Sequence, residues 1–345
     1  MFKTSHLFYV LCALLLILGI QAGTAFTQDV WISFAGTNSS NVTLPYLMKI
    51  NASGDILVGP KQILTAAQCA GQGCFPALTD GIGGNIVMIV ARVTTQANFA
   101  RTIVDKSTLH AGNVKNLGVV QAPNTFPGAL QVTQFAAPKF MVVKTDTQNS
   151  LAFPLTSKGL VAGSSWRVNP RVESGLMFQI GVSPDALMSW GINLNSSNPP
   201  FKIYVQPLNS RGRASGDPAV AGSGINLDSV DITNVLPNTR RFLAYTEEGN
   251  FTSGKTIKLQ VIDGKTGEKV GAPNDIIGGP NTGFIQNIAL DPMGRFIVWN
   301  EPSSCGGVIT RFQALSSNGN TTGGIKTLVG CGDIIISDFL DSMLD

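Results

Sequence analysis

The sequence predicts an all-β protein, a six-bladed β-propeller of four-stranded antiparallel blades. Three observations predict it. Short apolar strands alternate with turns rich in Gly, Asn, Ser and Thr, and no long Glu/Lys/Ala-rich segment reads as helix. A strand followed by a turn ending in Gly recurs at a nearly constant step. A second, independent strand pattern keeps the same step.

The first column comprises LMKINASG (47–54), LAFPLTSKG (151–159), IYVQPLNSRG (203–212), LQVIDGKTG (259–267) and TRFQALSSNG (310–319). TIVDKSTL (102–109) is a degenerate copy. In the second column, DPMGRFIVWN (291–300) matches LPNTRRFLAYT (236–246), with Arg295 to Trp299 falling on Arg241 to Tyr245. SPDALMSWG (183–191), APKFMVVK (137–144) and GIGGNIVMIV (81–90) are fainter versions. A first strand precedes each turn of this second kind, as in LQVTQFA, FQIGVS, VDITNV and FIQNIAL, and a ragged fourth strand follows each Gly turn. Four short strands per unit, repeated around an axis, define a propeller.

The ring is expected to close at a permuted seam. VWISF (30–34) reads as a second strand with no first strand before it. DIIISDFLD (333–341) supplies one, because it resembles VDITNVLPN (230–238), with Leu340 over Leu236. The C-terminal strand (about 333–341) should therefore pair with the N-terminal blade and remove an exposed sheet edge.

Residues 1–25 read as a signal peptide and 26–345 as a single propeller domain. Lys3 precedes the apolar run Leu7–Ile20, and small residues follow, so that cleavage falls after Ala25 or, alternatively, Ala22. The run is shorter than the roughly 20 residues a membrane span needs, and an uncleaved anchor is the alternative reading. Cys12 lacks the small residue that would precede a lipoprotein cysteine. The expected location is secreted or periplasmic, without a transmembrane span after cleavage.

Charged residues are 13% of the chain and the net charge is +3, which excludes a dedicated nucleic-acid surface. Four cysteines remain beyond Cys12. In an exported chain they predict two disulfides, Cys69–Cys74 and Cys305–Cys331, with cross-pairing as the alternative. A zinc site is disfavoured because His110 is the sole histidine outside the signal peptide.

The tooth of Pro, Gly, Arg and apolar strand, followed by an apolar-Asp-Thr-Gly turn, resembles blades of TolB-type and related WD-repeat-like propellers. The resemblance covers nearly all of the mature chain. It implies the architecture, and it names no function, since such families include docking modules, lactonases, other hydrolases and quinoprotein dehydrogenases.

Propeller geometry then sorts the loops. DPMG, LPNT and DGKTG fall on one rim and are read as structural turns, with Arg241 and Arg295 covering strands. The longer loops and the cysteines fall on the opposite face, together with the link 65–80. There, Asp146, Asn193, Glu247, Asn300 and Glu301 follow second strands and are the candidate pocket or metal set, since oxygen donors of this kind suit Ca²⁺. Gln131, Thr133, Asp231, Thr233, Gln286 and Ser337 are expected along the central channel. Ser183, Asp185 and Trp190 fit a sialidase Asp-box, but Leu187 stands where Gly belongs. His110 sits in a turn away from the long loops, which disfavours a Ser-His-Asp triad. Asn38, Asn41, Asn51, Asn195, Asn250 and Asn320 are glycosylation acceptors if the host is eukaryotic.

The reading is an exported, monomeric binding module for a protein or glycan partner, with no cofactor. A propeller hydrolase or lactonase with Ca²⁺ at the channel mouth is the alternative, and a purely structural surface protein is a third.

Overall fold

The structure is a computed structural model. It describes residues 28–37, 42–69, 73–93, 97–120, 130–132, 139–144, 150–167, 176–182, 187–193, 200–209, 213–225, 227, 229–234, 236, 238–248, 255–277, 287–304, 308–330 and 335–345. The signal-peptide reading, Asp146, Cys305, Cys331, Thr133, Gln286, Ser183, Asp185 and four of the six sequons lie outside these residues.

The first sheet holds β1 (Val30–Thr37), β2 (Thr43–Ile50) and β3 (Ile56–Gln62). The second holds β4 (Cys74–Asp80), β5 (Ile86–Val93), β6 (Ala97–Val104) and β7 (Lys115–Val120). β8 (Leu130–Val132), β9 (Lys139–Lys144), β10 (Ser150–Leu155) and β11 (Trp166–Arg167) make the third. β12 (Leu176–Val182), β13 (Leu187–Asn193), β14 (Pro200–Pro207) and β15 (Ala219–Ile225) make the fourth. The fifth comprises β16 (Val230–Ile232), β17 (Arg240–Glu248), β18 (Lys255–Asp263) and β19 (Asn274–Ile277). The sixth comprises β20 (Asn287–Leu290), β21 (Phe296–Pro302), β22 (Val308–Leu315) and β23 (Thr321–Val329). β24 (Ile335–Leu344) returns to the first sheet, in the order β24-β1-β2-β3. The innermost strands of successive sheets touch one another, and β20 touches β24. The fold is a β-propeller.

Packing explains why the second strands are apolar without alternation. Leu243 and Tyr245 of β17 enter the core shared with the fourth sheet. Phe242 and Ala244 of the same strand enter the core shared with the sixth. A strand sandwiched on both faces must be apolar on both.

The recurrent turn glycines have two causes. Gly54, Gly159, Gly267 and Gly319 all have left-handed φ, between 69° and 78°. Each also presses on the sheet before it. A Cβ on Gly267 would lie 2.6 Å from Val205 Cγ1, and one on Gly319 would lie 2.8 Å from Leu259 Cδ2. The degenerate copy keeps the conformation without the glycine, since Leu109 has φ 53° and is buried against the first two sheets.

Three expectations need correction. Residues 74–80 are not part of a link but form the inner strand β4. Cys74 and Pro76 disguise its apolar pattern. The C-terminal strand runs to Leu344, and its register differs from the expected one. Asp341, not a residue near Ile336, corresponds to Asp231: each accepts the N–H of the residue after it and one from the next sheet's inner strand. A bulge between Phe34 and Ala35 shifts the pairing and hides this in the linear sequence. Finally, LPNT makes the same tight turn as DPMG, with Thr239 in left-handed backbone where Gly294 stands, but at the tip of a longer hairpin. The hairpin closes at Thr233–Phe242 in the fifth sheet and at Asp291–Phe296 in the sixth, so the fifth carries four additional turn residues.

Candidate functional site

The expected oxygen-donor set is only partly described, and what is described does not converge. Glu301 accepts hydrogen bonds from Trp299 Nε1 at 2.9 Å and Arg311 Nε at 2.7 Å. Asn300 points to the other face of β21, is fully buried, and accepts from Thr310 Oγ1. Glu247 faces Lys258 at 3.6 Å, and Lys258 pairs more closely with Asp275. Asn193 ends β13, and its side chain lies outside the described residues. No group of three or more His, Cys, Asp or Glu able to hold a metal occurs among the described residues.

Two carboxylates do lie beside the channel. Asp231 and Asp341 sit on the inner strands of the fifth and first sheets. Asp231 Oδ2 accepts Leu290 N–H of the sixth sheet, and Asp341 Oδ2 accepts Leu78 N–H of the second, both at 2.6 Å. An innermost strand has a free edge, and these carboxylates supply partners for its amides. Burial pushes both acids up to about 7, and Asp231 is raised further by the charge of Asp341. Asp231 was legible in VDITNV. Asp341 was missed, although Leu340-Asp341 repeats Val230-Asp231. Thr233 proves to be buried, closing its hairpin by accepting Phe242 N–H. The side chains of Gln131 and Ser337 lie outside the described residues.

On the turn rim, the arginines do more than cover strands. Arg295 makes a two-point ion pair with the fully buried Asp291, through Nε at 2.7 Å and Nη2 at 3.0 Å. Its third nitrogen donates to Gln28 O. Arg241 donates to Gly264 O and Thr233 O. Beside these ties an open cleft of about 260 Å³ lies between the fifth and sixth sheets. Leu236, Phe242, Met293 and Leu315 form its walls, and Asn238, Arg295 and Ser317 add polar groups. The four-residue extension of the fifth sheet's turn supplies Leu236 and Asn238. It also places Thr239 in left-handed backbone, with φ 62°, which a β-branched residue rarely adopts.

Cys69 and Cys74 form a disulfide that joins the turn after β3 to the first residue of β4. His110 is exposed in its turn, its carbonyl accepting Asp105 N–H. Asn320 is exposed. Asn51 spends its amide on the turn, donating to Asp55 Oδ2 and accepting Ser53 N–H and Asp55 N–H.

The fold therefore belongs to the class of β-propellers, and comparison with solved structures agrees. TolB from Acinetobacter baumannii superposes with a TM-score of 0.58 at 14% identity, over 90% of this chain and 66% of that one. A putative TolB from Agrobacterium tumefaciens gives 0.48 at 12% identity over 88% of each chain. A putative 6-phosphogluconolactonase from Bacteroides uniformis gives 0.45 at 15%, over 87% of this chain and 83% of that one. This chain thus spans just under two thirds of the Acinetobacter TolB. At such identities the likeness is one of fold alone. No protein-family model matches the sequence, and no curated relative does. No helix among the described residues is long and apolar enough to cross a membrane.

Proposed function

We propose that the mature chain is an exported propeller of six blades, each of the six sheets being one blade, and that it acts as a binding module. Its recognition surface is the turn rim of the fifth and sixth blades, not the long-loop face that the sequence suggested. The observation that carries this reading is the apolar cleft. Its volume falls below the roughly 300–1,000 Å³ of pockets that enclose whole small ligands. It suits one apolar side chain of a protein partner, with Asn238 and Ser317 available for polar contacts at its edge. A strained Thr239, next in sequence to the cleft residue Asn238, fits a surface kept for recognition, since such strain gathers at binding sites. A Ca²⁺-dependent hydrolase is supported less, because Glu247 and Glu301 are already engaged by cations and Asn300 is buried apart from them.

An apolar fluorescent probe tests the cleft, and substrates test the rival. A naphthalene sulfonate should bind the native protein at one saturable site, and Ser317→Trp, which fills the mouth, should abolish binding without lowering the Tm. Probe binding indifferent to Ser317→Trp would sink the cleft as the recognition point. Turnover of lactones or esters, dependent on Ca²⁺ and removed by chelator, would replace the binding module with the hydrolase.

A further inference from the structure

Charge is distributed unevenly along the chain. Residues 73–167 contain eight Lys or Arg (Arg92, Arg101, Lys106, Lys115, Lys139, Lys144, Lys158 and Arg167) against three acids, Asp80, Asp105 and Asp146. The rest of the chain has 16 Lys or Arg against 18 Asp or Glu. The whole positive excess therefore resides in the second and third sheets.

One of these cations is buried. Arg101 is 5% exposed, and its Nε has no hydrogen-bond partner among the described residues. It makes no ion pair among them. Its neighbours two positions away, Phe99 and Ile103, pack with Leu130, Met141, Val143 and Leu155 of the third sheet. Arg101 lies on the same face of β6 and so points into that boundary. Lys115 stands directly across the strand pair from it and is exposed. The two described carboxylates of the region are committed elsewhere, and Asp146 lies outside the described residues. Asp80 pairs with Lys139 at 2.6 Å. Asp105 Oδ1 accepts from Ser107 and Thr108 in its own turn.

The repeat makes the position unusual. Thr102, Gln206, Gln260 and Gln313 each donate to a carbonyl at the start of the fourth strand's segment, Gly112, Gly216, Gly271 and Thr322 respectively. They define one column. The residue before each is Arg101, Val205, Leu259 and Phe312. Three are apolar and receive the turn glycine of the next sheet. In the second sheet that glycine, Gly159, rests on Val87, and a guanidinium occupies the place of the apolar side chain. Burial depresses the Arg101 pKa, and no ion pair among the described residues offsets it. A buried cation without a counter-charge is unfavourable, and the matching positions of three other sheets hold apolar residues.

We infer that Arg101 is the base of an anion site in the boundary between the second and third sheets, taking a small oxyanion of the phosphate or carboxylate class. The planar guanidinium fork matches the two oxygens of such an anion. Lys115 at the entrance draws it in. The near-complete burial of Arg101 admits a free small anion or the tip of a carboxylate, and excludes a bulky headgroup. The site is independent of the rim cleft.

Titration of the mature protein with inorganic phosphate, sulfate and acetate, each against chloride at matched ionic strength, tests this by Tm and by calorimetry. One of the oxyanions should raise the Tm saturably above the chloride control. Arg101→Met should fold, since the column accepts apolar residues, and should lose that increment entirely. Arg101→Lys keeps the charge without the fork and should weaken binding about ten-fold. Absence of any saturable oxyanion effect in the wild type overturns the proposal. So does an increment that survives in Arg101→Met, or, should that variant not fold, an affinity unchanged in Arg101→Lys.

Discussion

The boundary between the fifth and sixth sheets and the boundary between the second and third follow one plan with different chemistry. In the first, Gly319 settles onto Leu259 and Phe242, and Asp231 reaches across to Leu290 N–H. In the second, Gly159 settles onto Val87 beside Arg101, and Ala77 holds the place of Asp231. The backbone geometry is thus set by the turn glycine and the strand register. The filling is free to vary, so departures from the repeat are where function is to be sought.

The sharpest way to break the comparison is to exchange the fillings. Leu259→Arg should destabilise by about 4 kcal/mol in urea unfolding, because it buries a charge with no partner. Arg101→Met should change stability by less than about 1 kcal/mol in low salt, or raise it. Equal losses in the two variants would mean that Arg101 is a structural cation after all.

Next in size are the glycines. Gly159→Ala should cost about 3 kcal/mol and Gly319→Ala about 2 kcal/mol, since both add a Cβ in left-handed backbone against a neighbour. The order follows from the neighbours. Val87 is β-branched and stiff, whereas Leu259 meets the new carbon with a movable Cδ2. A reversed order would show the fifth boundary to be the more tightly packed.

The carboxylate present at one boundary and absent from the other predicts a pH effect. Asp231 and Asp341 have folded-state pKa values of about 7, above the unfolded value. Protonation therefore favours the folded state. The stabilisation is complete below about pH 4 and is lost as pH rises through 7, on the order of 4 kcal/mol per group at pH 8. Asp231→Asn should flatten thermal stability between pH 5 and 8. A profile as steep as the wild type's would remove Asp231 as its source. The smallest effect belongs to Gly118→Ala in β7, where φ is 70° and no atom lies near the added carbon. About 1 kcal/mol is expected from backbone strain alone. A larger loss would mean that strain, and not contact, governs Gly159 as well.

Much of the strand pattern was legible because one physical cause writes it. A second strand buried on both faces reads FIVW or FLAY, and a turn pressed on its neighbour reads NG or TG. What escaped was set by pairing across long separations. β4 begins with a cysteine and contains Pro76, so its inner position is visible only once it lies beside β24. The Asp341 register depends on a bulge against β1. The inward glutamines Gln206, Gln260 and Gln313 were readable as an apolar-Gln pair in three units, yet their partners are carbonyls that only the fold brings near. Among the described oxygen donors, Asn300 and Glu301 diverge for a local reason. Alternate residues on β21 point to opposite faces, which separates Asn300 from Glu301 however adjacent they are in sequence.

The pairing of β24 with β1 has a consequence in time. Val30 lies opposite Leu344, and Lys49 and Trp31 both hold the Asp345 side chain. β1 must wait for β24, which follows the strands of the five other sheets in the chain. Until then the first sheet lacks its innermost strand, and the nascent chain cannot lock. The clasp thus keeps the ring open until the five other sheets have been made.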